Sequence, residues 1–320
     1  MSKKAVVTPL RRHEKYEHLI EATTNLAALP TAVAHPCDEV SLQGALEAAR
    51  AGMIVPILVG PKQRILDLAK SLTLDVEGFE IIDVPHSQAA ADKAVELVRM
   101  GKAELLMKGS LHSDELLGAV TNRETGLRTG RRISHVFVMD VPSHAETLFI
   151  TDAAVNIVPD LPAKRDIIQN AIDLYAGLGL GTPKVAILSA VETVTPSIPS
   201  TIDAAALCKM ADRGQITGGI VDGPLAFDNA ISPKAARIKG IKSPVAGHAQ
   251  ILIVPDLEAG NMLAKNLTFL SGADAAGIVL GARVPVILTS RADNVRTRMA
   301  SCAVAMLLAH SRRAREPIRV

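Results

Sequence analysis

Short, apolar, β-branched runs that alternate with longer helical stretches constrain this chain more than any other feature of its sequence. Runs at 31–35 (TAVAH), 55–60, 80–84, 103–107, 135–139, 148–150, 185–189, 219–221, 251–254, 277–280 and 286–288 read as strands. Between them, 40–51, 89–100, 163–175, 202–213 and 293–310 carry helical periodicity, and 11–29 reads as an amphipathic lead-in helix. Strands this short and continuously apolar, separated by helices, predict an α/β fold with mostly parallel sheet, because parallel strands are covered on both faces. A length of 320 residues is enough for about two such domains, with a boundary expected in a loop such as 140–145. Ligands of such sheets gather beyond the carboxyl ends of the strands, so polar residues directly after strands are the ones to weigh.

Composition excludes several classes. Lys and Arg total 35 against 33 Asp and Glu, a formal net charge of +2, far from the cationic excess that coats nucleic acid or an anionic membrane. Aromatics make up 2% with no Trp, which removes stacking platforms for single strands. Cys37, Cys208 and Cys302 are odd in number and widely spaced, so reduced thiols used in packing are expected rather than disulfides or a zinc knuckle. No apolar h-region with a cleavage site follows the basic N-terminus, and no run of about 18 apolar residues occurs, which together predict a soluble, cytoplasmic protein. Familiar cofactor motifs are missing too. GLGLGT at 177–182 leaves a helix and enters a strand, the reverse of a dinucleotide loop; no GxxxxGK[ST] and no HExxH occurs, so no metal is expected.

Four strand ends carry chemistry. VILTSRADNVRTR at 286–298 ends a buried strand in Thr289-Ser290-Arg291 and begins a helix. Ser290 and Asp293 have the spacing of a capping box, S-x-x-D. The same turn offers free amides, a hydroxyl and a guanidinium fork to an anion. LMKGSLHSDELLGAVTNRETGLRTGRR at 106–132 places Lys108, Gly109 and Ser110 after a strand and clusters Arg123, Arg128, Arg131 and Arg132 in the loop beyond. That cluster is either a solvated basic loop or a seat for a polyphosphate-bearing molecule such as coenzyme A. ILIVPDLEAGNMLAKNL at 251–267 delivers Asp256, Glu258, Asn261 and Lys265, of which either carboxylate is equally well read as a helix start. LSAVETVTPSIPSTID at 188–203 brings Ser189 and a Pro/Ser/Thr-rich loop ahead of a helix capped by Ser200 or Thr201.

These segments, together with HPCDEVSLQGALEAARAGMIVPILVGP near the start, resemble the phosphate acetyl/butyryl transferase family over most of the chain. The closest likeness is to the short phosphate acetyltransferases, including the transferase part of fusions with an enoyl-CoA hydratase. The resemblance implies two α/β/α domains of the isocitrate/isopropylmalate dehydrogenase kind with the active-site cleft between them. The first would comprise 1–142 plus 290–320 and the second 143–289, in a homodimer. It implies acyl-CoA and inorganic phosphate as substrates, giving acyl phosphate and free CoA, with no further cofactor, no nucleic acid and no membrane partner. Ser290 and Arg291 match a Ser-Arg pair that serves phosphate and thioester in acetyl-specific relatives. The Asp that those relatives carry later in the helix is Thr297 here. Asp293, within a TSRAD pattern shared with butyryl-type members, is the nearest carboxylate. Lys108, Gly109, Ser110, Arg128, Ser189, Asp256, Asn261 and Lys265 are the expected substrate-binding residues. Acetyl transfer is the expected reaction, with butyryl or another short acyl group as the alternative; a non-catalytic CoA-binding protein and a β-decarboxylating dehydrogenase are the rivals from other classes.

Overall fold

The computed structural model describes residues 14–289 and 294–315. Ser290, Arg291 and Asp293 lie outside the described residues. The N-terminal half alternates α1 (Glu14–Glu21), β1 (Leu29–Ala34), α2 (Glu39–Arg50), β2 (Ile54–Gly60), α3 (Lys62–Ser71), β3 (Glu80–Asp83), α4 (Ser87–Arg99), β4 (Leu105–Lys108) and α5 (Ser113–Thr121). β5 (Ser134–Asp140) and β6 (Leu148–Thr151) then lead to α6 (Leu161–Gly177), β7 (Lys184–Leu188), α7 (Pro199–Asp212) and β8 (Ile220–Leu225). Two short helices, α8 (Phe227–Ile231) and α9 (Pro233–Ile238), precede β9 (Ile251–Ile253), α10 (Leu257–Ser271), β10 (Asp274–Leu280), β11 (Val286–Ile287) and α11 (Val295–Arg315).

Among the described residues all eleven strands belong to one sheet, in the order β3-β2-β1-β4-β11-β10-β5-β6-β9-β7-β8. The parallel α/β expectation holds on both wings. In the middle, β10 runs antiparallel to β11 and β5, and β5 antiparallel to β6. The wing β3-β2-β1-β4-β11 therefore runs opposite to the wing β6-β9-β7-β8. Helices cover both faces. α2, α3, α6, α7 and α11 share one apolar layer; α4 and α5 cover the other face of the first wing. Strand alternation feeds both layers: in β1, Leu29 and Val33 face one, Ala32 and Ala34 the other.

Three sequence expectations change. The lead-in helix stops at Glu21, where the Thr23 and Thr24 hydroxyls bond the Ile20 and Glu21 carbonyls (2.6 and 2.8 Å) and compete with further helix. The terminal helix begins at Val295, with the Asn294 side chain accepting from the Thr297 N–H (2.9 Å). α7 is not capped by Ser200 or Thr201. It starts at Pro199, and the Thr201 hydroxyl bonds the Thr195 and Ile198 carbonyls instead. The turn at 177–182 does join a helix to a strand, α6 to β7, with Gly179 and Gly181 at φ +75° and +92°.

Candidate active site

The strand register gives the sheet a shared exit line. Met107 pairs with Ile287, Ile287 with Ile278, Ile278 with Val136, Val136 with Thr151, Thr151 with Ile253, and Ile253 with Ile187. These residues form one continuous row. β4 and β11 leave it in one direction, at Lys108 and Leu288. β6, β9 and β7 leave it in the other, at Asp152, Val254 and Leu188. The first wing is thus built on one side of the row and the second wing on the other, with both sets of carboxyl ends at the same level. The two sets of carboxyl ends thus lie at one level of the sheet and point in opposite directions.

On the first wing, β1, β4 and β11 are direct neighbours, so the turn after β4 sits between the end of β1 and the segment that enters Ser290. Lys108 is 4% exposed, an unusual position for an ammonium group. Gly109 is required by space. Its N–H bonds the Ala34 carbonyl (2.9 Å), and a Cβ there would lie 2.4 Å from both the Ala34 and His35 carbonyl oxygens. Ser110 donates through its N–H (2.8 Å) and its hydroxyl (2.9 Å) to the His35 carbonyl, and its hydroxyl also meets His35 Nδ1 at 2.9 Å. Gly109→Ala should therefore cost at least the 1–3 kcal/mol of about one overpacked methyl, since the obstacle is backbone. A denaturant midpoint and a turnover rate that both match the parent would refute this role for Gly109.

His35 was not singled out by the sequence, although it is the last residue of the run TAVAH and so met the criterion of a polar strand end. Its φ of +55° aims it at Ser110. Burial, and secondarily the Arg64 guanidinium, hold its pKa below the usual value. A neutral imidazole beside Ser110 is thereby favoured. Burial pushes the Cys37 thiol up to about 11 and those of Cys208 and Cys302 to about 12, which fits packing rather than nucleophilic use.

On the second wing, Asp256 is the N-cap of α10 and accepts from the Ala259 N–H (2.8 Å), so its helix-start reading is realised. Asn261 donates to the Ala153 carbonyl at 3.3 Å, and Lys265 is exposed on α10. The Ser189 hydroxyl pairs with that of Ser200 at 2.8 Å. Asp152 closes β6 as a buried turn that accepts from the N–H groups of Ala154, Val155 and Asn156. Burial raises its pKa and these hydrogen bonds oppose the rise. Of the arginine cluster, Arg131 pairs with Asp173, Arg132 donates to Asn156, and Arg128 is exposed beside Ala282, to which its backbone bridges. The structure brings Lys108, Gly109 and Ser110 together at the end of β4, and sets Asp256 and Asn261 at the start of α10. Among the described residues no three His, Cys, Asp or Glu side chains are grouped to hold a metal ion.

Within the sheet, His135 is fully buried against the Phe137 ring (centroids 4.4 Å apart), and its Nδ1 has no partner among the described residues. Burial lowers its pKa to about 3. Because the folded pKa is depressed below the unfolded value, near 6.5, the unfolded chain takes up the proton first. Stability is complete above about pH 6.5 and is lost progressively down to about pH 3, amounting to about 2 kcal/mol at pH 5. His135→Met should flatten this loss: the stability difference between pH 7 and pH 5 should shrink by that amount in urea titrations, and equal losses in parent and variant would refute it.

An open, parallel-dominant α/β sheet covered by helices places its candidate binding residues at strand ends and helix starts, as in α/β enzymes. Residues 86–306 match the family model described as phosphate acetyl/butaryl transferase, and the chain belongs to this acyltransferase family. It is 71% identical over 300 residues to a phosphate acetyltransferase of Rhizobium meliloti, covering 94% of this chain and 95% of that protein. It is 45% identical over 278 residues to a phosphate butyryltransferase of Clostridium acetobutylicum, covering 87% and 92%. Among solved structures, a branched-chain phosphotransacylase from Enterococcus faecalis superposes with a TM-score of 0.77 at 31% identity, over 88% of this chain and 99% of that one. A putative 4-hydroxythreonine-4-phosphate dehydrogenase from Salmonella typhimurium, with a TM-score of 0.55 at 13% identity over 88% of this chain and all of that one, shares the fold alone.

Proposed function

We propose that this chain transfers a short acyl group, acetyl in the first instance, between CoA and inorganic phosphate in a cleft between its two wings. The observation that carries the reading is the shared exit line. It supports the reading because the buried Lys108 falls level with Leu288, two residues ahead of Ser290 in the sequence. In the direction that consumes acyl phosphate, the CoA thiol attacks the acyl carbonyl, the tetrahedral centre collapses, and phosphate leaves. Arg291 and the helix-start amides neutralise the phosphate and the oxyanion. Ser290 hydrogen-bonds the reacting oxygen, and Asp293 takes the thiol proton. Thr297 is poorly suited to that last role, being buried and tied into α11 through the Ser301 hydroxyl on its carbonyl (2.8 Å). The two substrates are CoA-linked acyl group and phosphate, with no further cofactor.

The proposal extends to a division into 1–142 with 290–320 and 143–289, to a homodimer, and to a cytoplasmic setting, which suits three free thiols. No described helix is long and apolar enough to cross a membrane. The test is thiol release from acetyl-, propionyl- and butyryl-CoA with phosphate. The highest kcat/KM is expected with acetyl-CoA; preference for butyryl-CoA would reassign the acyl group, and CoA binding without turnover would end the reading.

A further inference from the structure

We propose that His35 is a positioning residue of the reaction: through one fixed ring tautomer it braces Ser110, and the brace sets Lys108 at the end of β4. The inference rests on the acyltransferase reading above and adds to it a residue from outside the expected site.

His35 takes φ +55°, the left-handed region, where a residue with a Cβ is crowded. Backbone contacts hold it there. Its N–H donates to the Val59 carbonyl (2.7 Å), and its carbonyl accepts from the N–H groups of Cys37 and Ser110 (2.8 Å each). The same conformation brings ring Nδ1 within 2.9 Å of the Ser110 hydroxyl.

The hydroxyl has a single proton and two neighbours, the His35 carbonyl oxygen and His35 Nδ1, each at 2.9 Å. The carbonyl carries no proton, so the hydroxyl donates to it and the ring nitrogen donates to the hydroxyl. The other tautomer would leave two oxygens facing each other at 2.9 Å with no proton between them. His35 is therefore protonated at Nδ1 and bears its lone pair at Nε2. Burial and the Arg64 guanidinium favour the neutral ring, against the Glu115 and Asp38 carboxylates.

The donors of Gly109 and Ser110 are thus spent on the end of β1: one amide on Ala34, one amide and one hydroxyl on His35. On this count Ser110 is a brace and not a hydroxyl that donates to phosphate. The charge that the turn brings to an anion is the Lys108 ammonium, buried one residue ahead of the braced pair. Lys108 is paired in register with Ala34, and its Nζ lies 3.5 Å from the Gly109 carbonyl. Fixing 109 and 110 against 34 and 35 therefore fixes the ammonium, and a misplacement of about 1 Å at such a group costs on the order of 10² in rate.

Three substitutions separate the ring nitrogens from the backbone. Asparagine tolerates the left-handed region and carries its amide nitrogen where Nδ1 stands; glutamine carries its own at the reach of Nε2. Glycine keeps the backbone and removes the ring. His35→Gly should lower kcat/KM with acetyl-CoA and phosphate by about ten- to a hundredfold. His35→Asn should recover most of that loss and His35→Gln should not. In a Lys108→Met background, His35→Gly should cost no more than about a further twofold, because the brace has no ammonium left to place. A residue that only supported the fold would subtract the same factor in both backgrounds. Nitrogen NMR of the histidine-labelled parent, with the His35 signals identified by their loss in His35→Asn, reads the tautomer apart from activity: a protonated Nδ1 and a bare Nε2 are expected. A bare Nδ1, equal rate losses in both backgrounds, or recovery by glutamine in place of asparagine would overturn the role and leave the acyltransferase reading intact. A parent with the expected tautomer and no turnover would end that reading and the role with it.

Discussion

Replacing Arg291 by alanine is expected to lower kcat/KM for acyl transfer by about 10²–10³ and to raise the KM for phosphate more than that for acyl-CoA. The magnitude is that of removing one preorganised donor from a developing oxyanion in a water-poor site. The asymmetry between substrates follows from the fork: a guanidinium meets two phosphate oxygens at once, whereas a thioester carbonyl offers one. Arg291→Lys should recover part of the activity, since it restores charge without the fork. Neither variant should move the melting temperature by more than a degree or two, because α11 draws its first-turn support from Asn294. The same fact sharpens the test of Asp293. With Asn294 already accepting from the Thr297 N–H, Asp293→Asn should cost little stability, so a large fall in kcat would mark Asp293 as the proton acceptor. Near-parent kinetics in Arg291→Ala would remove the central role assigned to that turn.

The elements that were legible in the sequence were those set by local pattern. TAVAH, LLMK and ILIV announce buried strands because parallel strands are apolar on both faces. Polar residues directly after them marked Lys108, Gly109 and Asp256. What stayed hidden depends on pairs distant in the chain. The exit line needs the registers of β10 on β5 and of β5 on β6, and no local pattern specifies them. In the sequence His35 is only the end of a strand; its use appears when Ser110, 75 positions on, meets it. α3 follows a Gly-Pro pair that reads as a turn, and α8 and α9 are single turns divided by Pro233, too short for periodicity to show. Asp152 gives no signal in the sequence, because it follows a four-residue strand and has no charged neighbour. Its partners are the amides of its own turn. At Asp256 the helix-start reading is realised, since an aspartate before a helix satisfies a free amide of its first turn.

The other large effect expected is on stability, at the contact between α1 and the centre of the sheet. Asp140 ends β5 with a side chain fully shielded from solvent. Its carboxylate accepts from Lys15 Nζ (2.7 Å) and from the backbone N–H groups of Lys15 (3.2 Å) and Tyr16 (3.3 Å). Lys15 Nζ also donates to the Val141 carbonyl (3.0 Å), and the Tyr16 hydroxyl donates to the Val138 carbonyl (2.6 Å). Lys15→Met leaves the carboxylate buried with two amides and no counter-ion, which should cost about 3 kcal/mol, the low end for a broken buried pair. Lys15→Met combined with Asp140→Leu removes the stranded charge as well and should regain much of that loss. If the pair were a surface contact, the single variant would cost well under about 1 kcal/mol and the double variant would regain nothing. The contact also reaches the site. α1 packs on α11, and Arg296 in the first turn of α11 lies 3.8 Å from Glu17. A loosened α1 therefore releases the helix that begins just beyond Ser290-Arg291, and Lys15→Met should raise the phosphate KM at temperatures well below its melting point. A variant that loses stability while its phosphate KM stays fixed would show that α1 supports the sheet and not the helix.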